Sequence, residues 1–523
     1  MHNNMKNIKI YTWLLTIGLL AGCDAGFDEI NTSKTGIVSI NPAYVFNNAV
    51  LRTSFTNSTL VYEMAIVQQM ITPNSGVVSG GNYNQDNRSV TLGLWQRYYR
   101  DVLKSLIDVM DQTQDDPDRS NLYNMSRIWR AYVMMVLTDS YGDVPYTEAG
   151  LGFLNGNVAP KYDTQESIYT GILTELEAAS AALDPDKTIE AADILYKGNI
   201  EQWEKLGYSL LLRAAMRLSE VDPETANDYV DVAVAGGLME SNADNAVIRH
   251  TSNYTNEIGA WLTGTEKANF FLARPFVDFL QSNDDPRLAS LAVRYVGAIN
   301  GDDQLKAIDG TSETAELSRD PEDQLGIPVG YNNTTIDEVL DDEGLASFYE
   351  FSQLDRQRVG KSTTPMFLVT YAQTQLLLAE AVVRGWADGN AADPYAGGIR
   401  AHMQQMALYD PASAIQESDI TIYLGAHPLM AGSELEDINT QYWVASFLNG
   451  PEAFANFRRS GFPILAPNTY PDDAISGDFI NRLTYPDFEM SVNTENIMEA
   501  IHRQAGPSAT TDNLDMRVWW DLP

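Results

Sequence analysis

The sequence predicts a mostly α-helical protein, with tetratricopeptide-like helix pairs forming a frame, a large loop-rich face and few short strands. Three observations carry this. Apolar residues recur at helical spacing behind recognisable start signals. Alternating strand patterns are sparse and short. Trp203-x-x-Leu206-Gly207 matches the opening of the tetratricopeptide pattern, although Leu210 stands where that pattern has Tyr, and no clean repeat period follows.

The chain begins with Lys6 and Lys9, then a mostly apolar run from Ile10 to Leu20. That run is shorter than the roughly 20 residues a membrane-spanning helix needs and has the flanks of a secretory signal. Residues 1–22 therefore read as a signal peptide. Leu20-Ala21-Gly22-Cys23 resembles the lipobox of bacterial lipoproteins, in which the cysteine is acylated and becomes the new N-terminus. Residues 23–40, polar after Cys23, read as a lipidated flexible tether. Residues 41–523 read as one helical domain, with no low-complexity linker dividing them.

Within that body, Leu92 to Met110 and Tyr123 to Thr138 have helical patterns. Asp163 with Glu166 forms a capping box ahead of Ile168, Ile172 and Leu176. Asn199 with Gln202 repeats the signal, and Trp203, Leu206, Leu210 and Ala214 share one stripe. Thr370 to Arg384 is a strong helix stopped by Gly385. Residues 241–363, rich in Asn, Asp, Gly, Thr and Ser, and 387–523, with many prolines, read as long ordered loops. Loops of such length usually carry function.

Charge narrows the function. There are 71 acidic and 34 basic residues, a net charge of −37, so the long-range field repels polyanions and excludes nucleic acid as a partner. Hydrophobic residues at 44% supply a core. The single cysteine rules out intramolecular disulfides and paired-thiol motifs.

No catalytic motif emerges. His2, His250, His402, His427 and His502 are too scattered for a His-Glu-x-x-His site. No Gly-x-Ser-x-Gly elbow is present. Gly360-Lys361-Ser362 imitates the end of a P-loop, but Asp355 stands where the first glycine is needed. Asp284-Asp285-Pro286-Arg287 and Asp341-Asp342-Glu343 read as turn and cap residues on a solvated surface. No cofactor is implied. Ca²⁺ sites built from loop carbonyls leave no motif, so the metal question stays open.

The aromatic content points to sugars. The chain has 26 Tyr, 9 Trp and 17 Phe. The apolar faces of sugar rings stack on aromatic rings, while Asn, Asp and Arg hydrogen-bond the hydroxyls. Three stretches offer that mixture: residues 79–88, residues 253–256 with nearby Trp261, and residues 331–333. The candidate ligand-binding residues are Asn82, Tyr83, Asn84, Arg88, Tyr254, Trp261 and Tyr331. For any one aromatic the competing reading is packing against the body; Trp129 and Trp203, on helix stripes, read as core.

A series of motifs runs along almost the whole chain: Phe27-Asp28-Glu29-Ile30-Asn31, the segment from Thr138-Asp139-Ser140-Tyr141-Gly142-Asp143 to Ala149, Leu272-Ala273-Arg274-Pro275, Asp285-Pro286-Arg287-Leu288, Tyr371 to Ala381, Asn456-Phe457-Arg458-Arg459-Ser460-Gly461-Phe462-Pro463, Arg482-Leu483-Thr484-Tyr485-Pro486 and Val518-Trp519-Trp520-Asp521. In number and order they resemble the SusD/RagB family of nutrient-binding outer-membrane lipoproteins. The resemblance implies a lipid-anchored outer-membrane protein facing the cell exterior. It implies a non-catalytic protein that captures oligosaccharides and passes them to a SusC-like TonB-dependent transporter. It also implies pairing of Arg458 and Arg459 with acids and packing of Trp519-Trp520. A surface glycoside hydrolase on a helical scaffold, or a binder of peptide or another nutrient, are the alternatives.

Overall fold

The computed structural model describes residues 40–54, 58–471 and 473–523. Cys23, the signal peptide and nearly all of the tether lie outside the described residues.

Helices Ser120–Tyr141, Gln165–Ala181, Ile200–Arg217 and Pro223–Gly236 pack each on the next. Tyr371–Val383 and Ala392–Tyr409 form a further pair, and Glu434–Ala445 with Gly450–Ser460 closes the frame. The two groups meet where Ile200–Arg217 packs on Tyr371–Val383. The protein is mostly helical, with tetratricopeptide-like helix pairs and few strands, as the sequence predicts.

Local chemistry explains the helix starts. The Asn199 side chain accepts from the Gln202 amide at 3.2 Å. Thr370 and Gln373 form a reciprocal capping box, and Gly385 follows in the left-handed region at φ +76°. The predicted stripe of Trp203, Leu206, Leu210 and Ala214 is fully buried. Gly207 is required by packing: a Cβ there would lie 2.0 Å from Ser180 Oγ on the neighbouring helix.

Several details differ from the sequence reading. The cap of Gln165–Ala181 is Thr164, whose hydroxyl accepts from Ser167 N at 3.2 Å. Asp163 instead ties the preceding turn, accepting from the amides of Tyr146 and Thr147 at 2.9 Å. The predicted Leu92–Met110 helix runs as Arg88–Gln96 and Lys104–Thr113 joined by a π-helical stretch, Arg97–Leu103. The supposed loops after residue 387 contain four helices between Ala392 and Ser460.

Several charged residues in the motifs are interior rather than solvated. Asp285 and Arg287 are buried and paired at 2.5 Å. Arg459 donates to Glu380 at 2.6 and 2.7 Å. Asp139 accepts from the Trp520 indole at 2.9 Å and the Tyr169 hydroxyl at 2.5 Å. Arg217 bridges Asp139 and Glu452. Arg482 pairs with Asp512. Arg458 departs from the expectation, donating at 2.7 Å to the carbonyls of Asn481 and Asp139. Trp520 is buried and Trp519 partly buried. Three of these contacts, Asp139 with Trp520, Arg217 with Glu452 and Arg458 with the Asp139 carbonyl, link segments more than two hundred positions apart, and burial leaves the groups dependent on one another.

The strands clip the loop-rich middle to the frame. Met70–Ile71 pairs antiparallel with Phe271–Leu272, Met70 opposite Leu272. Ala246–Ile248 pairs with Met366–Val369, and Ala292–Val296 lies between Glu316–Ser318 and Gln353–Leu354.

Candidate ligand-binding face

The first strand pair leads directly into the loops that the sequence singled out. Asn82 and Tyr83 are buried. The Asn82 amide donates to the carbonyls of Thr72 and Asn74 at 2.9 and 3.2 Å, and its oxygen accepts from Gly80 N at 2.9 Å. The Tyr83 hydroxyl donates to the Pro73 carbonyl, and its ring lies 4.4 Å from that of Tyr470. Burial, with Tyr470 adding to it, raises the Tyr83 hydroxyl pKa, so it stays a neutral donor. Asn84, also buried, takes a left-handed turn at φ +50°, and its side chain donates to Asn468 O at 3.3 Å.

Three other segments join this loop. Asn74 donates to Asn269, a few residues beyond Trp261, at 3.0 Å. Asn333 N donates to Pro73 O at 2.8 Å, and Asn332 donates to the Tyr470 hydroxyl at 3.3 Å. Asn468 donates back to Asn82 O at 2.9 Å. The loops around residues 72–84, 266–269, 329–335 and 466–470 thus share one cluster of neutral amides and phenols. Tyr331, Tyr470 and Trp261 are half-buried. Tyr331 packs on the small core around Ile71, Phe271 and Ile327, and Trp261 lies 6.5 Å from Phe270.

Tyr254 and Arg88 sit elsewhere. The Tyr254 hydroxyl donates to Leu51 O at 2.5 Å, and its ring stacks on His250 at 5.2 Å. Arg88 pairs with Asp86 at 2.9 Å and Asp487 at 3.2 Å, and reaches Asp512 O at 3.0 Å. Burial lowers its pKa, but Asp86 outweighs this and the net shift is upward. It lines an open trough of about 720 Å³ with Gly76, Val77, Asp86 and Asp487.

The structure therefore brings Asn82, Tyr83, Asn84, Tyr331 and the segment after Trp261 into one cluster. It leaves Arg88 at the edge and Tyr254 apart. Sequence reasoning missed Asn74, Asn269, Asn468 and Tyr470. Asn468-Thr469-Tyr470 has the same Asn and Tyr composition as Asn82-Tyr83, and that likeness was the available signal.

Among the described residues, the imidazoles offer no catalytic set. The Ser54 hydroxyl lies 2.9 Å from His250 Nε2, but the pair is buried and Nδ1 faces the Tyr254 carbonyl rather than an acid. His402 contacts Arg287, His427 contacts the Asn283 carbonyl, and His502 is exposed. Among the described residues, no group of three or more His, Cys, Asp or Glu side chains is placed to hold a metal ion. Nor is any helix among them long and apolar enough to cross a membrane.

A SusD-like family model, described as starch-binding and associating with the outer membrane, matches residues 34–486. The chain belongs to the SusD-like family. Solved structures agree. One titled a chitin-binding protein is 32% identical, covering 92% of this chain and 100% of its own, with a TM-score of 0.80. A SusD-like protein from Bacteroidetes is 28% identical at the same coverage, with a TM-score of 0.78. A chitin-binding SusD homologue from Flavobacterium johnsoniae, at 24% identity and a TM-score of 0.73 over 92% of this chain and 98% of its own, shares the fold. No curated protein matches the chain. SusD-like proteins are carbohydrate-binding and outer-membrane-associated rather than enzymes.

Proposed function

We propose that this SusD-like protein captures oligosaccharides at the outer surface of the outer membrane and delivers them to a SusC-like TonB-dependent transporter. The observation that carries the reading is the four-loop cluster of Asn and Tyr on a SusD-like frame. Amide side chains both donate and accept, which suits hydroxyls and acetamido groups. Half-buried Tyr331, Tyr470 and Trp261 supply ring faces for sugars. The 32% identical relative is titled as chitin-binding, so chito-oligosaccharides are the first ligands to test, with malto-oligosaccharides second.

Ligand contact belongs to Trp261 and Tyr331, while Asn82, Tyr83 and Asn84 shape the loop. Trp261→Ala and Tyr331→Ala should each weaken chito-oligosaccharide binding by about 1–3 kcal/mol, the cost of losing a stacking platform. Circular dichroism should stay unchanged, and added salt should have little effect, because stacking and neutral hydrogen bonds are barely screened. Calorimetric titration checks this, and full affinity in both variants would reject the site. Release of reducing sugar during the titration would favour the hydrolase alternative.

Anchoring rests on Cys23, as the sole cysteine behind a short apolar run. Several acyl chains together give stable membrane attachment. Cells fed a fatty-acid analogue should label the protein, and Cys23→Ala should abolish the label; undiminished labelling would refute the anchor. Delivery is tested by affinity purification from native membrane, where a β-barrel should co-purify in stoichiometric amount.

A further inference from the structure

An aromatic-walled cleft of about 450 Å³ lies beyond the loop cluster, within the size range of small-molecule sites. Trp95, Tyr99, Phe153 and Phe488 line it. Trp95 is fixed edge-on by Tyr141 and Tyr485, at 5.2 and 6.0 Å. Phe153 and Phe488 are 46% and 37% exposed, unusually open for phenylalanine beside a cavity. Polar groups converge on the same space. Glu489 accepts from the Tyr162 hydroxyl at 2.9 Å, and Lys104 Nζ lies 5.9 Å from the centre of the Phe153 ring. Burial raises the Glu489 carboxyl pKa.

The cleft and the trough that Arg88 lines are walled by consecutive residues. Phe488 and Glu489 belong to the cleft, and their neighbour Asp487 lines the trough under residues 76–89. The same trough is bounded by Gly76, Ser79 and Gln85, on the loop that carries Asn82 and Tyr83. Arg88, which pairs with Asp487 at 3.2 Å, thus stands between the loop of residues 76–89 and the segment that carries Phe488 and Glu489.

We propose that this cleft is a distal subsite for the same saccharide chain, occupied only by oligomers long enough to reach it from the loop cluster. The inference rests on the saccharide-capture reading above and adds to it a preference for chain length. Phe153 and Phe488 stack the distant sugar, while Glu489 and Lys104 bond its hydroxyls. Linking two weak sites through one chain gives tighter overall binding than either alone.

The test compares a chito-disaccharide with a chito-hexasaccharide, and the corresponding malto-oligosaccharides, on the parent chain and on Phe153→Ala and Phe488→Ala. The parent should bind the long oligomer more tightly. Each substitution should weaken the long oligomer roughly tenfold, as loss of a stacking platform does, and leave the disaccharide within about twofold. Trp261→Ala should weaken both. Equal affinity of parent and variants for the long oligomer overturns the subsite while leaving the capture reading standing. So does loss of a co-purifying membrane protein without loss of sugar, which would make the cleft a protein contact. Failure of the parent to bind either oligomer series overturns both readings.

Discussion

Glu380→Ala should destabilise the folded protein by about 3–5 kcal/mol, the cost of stranding a buried partner charge. Glu380 is fully buried in the helix Tyr371–Val383. Its carboxylate accepts from Arg459 at 2.6 and 2.7 Å, from Arg384 at 2.9 Å and from Asn439 at 3.1 Å. Burial by itself would raise its pKa, but the Arg459 and Arg384 guanidiniums outweigh burial and hold it at about 2. Removing the carboxylate leaves the fully buried Arg459 with neutral partners only, the oxygens of Asn439, Asn456 and Ser219. Because the folded pKa lies below the unfolded value, the group's contribution is complete above pH 4.5 and is lost as pH falls towards 2. Urea unfolding should therefore show a large gap between parent and variant at neutral pH that narrows in acid. Equal midpoints at neutral pH would contradict this.

Glu63→Gln should act in the opposite direction and stabilise the protein in alkali. Glu63 ends the π-helical segment Thr59–Glu63, packed so tightly on Gly450 that a Cβ there would lie 2.9 Å from Glu63 Cβ. It is fully buried, and neither carboxylate oxygen accepts a hydrogen bond from the described protein atoms. Burial raises its pKa from 4.5 to about 7, only partly opposed by the nearby Glu63 amide, the Ser58 hydroxyl and Arg458. The folded state thus holds a proton that the unfolded state has released. Stability should fall as pH rises from 4.5 to about 7 and then level off. Glutamine keeps the shape without the charge, so at pH 8 the variant should be more stable by about 3 kcal/mol. At pH 4 the two proteins should be alike. Parallel stability curves across that range would refute the account.

The candidate site was only partly legible. Its composition was readable, because Asn and Tyr crowd residues 79–88 and 331–333. Which side chains face outward was not. Asn82 looks like a ligand-binding amide, yet its donors are taken by Thr72 and Asn74, and Asn468 supplies the lid over its backbone. Asn468 lies almost four hundred residues downstream, with no spacing rule to connect the two. Trp95 and Phe488, which share the distal cleft, are equally remote in sequence.

By itself the sequence determined what depends on neighbours along the chain. Asn199 and Thr370 start helices because their side chains reach amides three residues ahead. Trp203 and Leu210 are buried because helical spacing puts them on one stripe. The ordered motifs already identified the family that the comparisons support. Only the tertiary structure decided where charge and space were compatible. Gly397-Gly398 lies inside the helix Ala392–Tyr409, where a Cβ at Gly398 would meet Leu376 at 2.7 Å, so the small residue lets two helices close. Asp285 and Arg287 read as surface charges, since such residues are rarely buried unless paired. Besides pairing with Asp285, Arg287 meets His402 and Gln441 from distant helices, and no local rule reports a partner that exists only after the chain has folded.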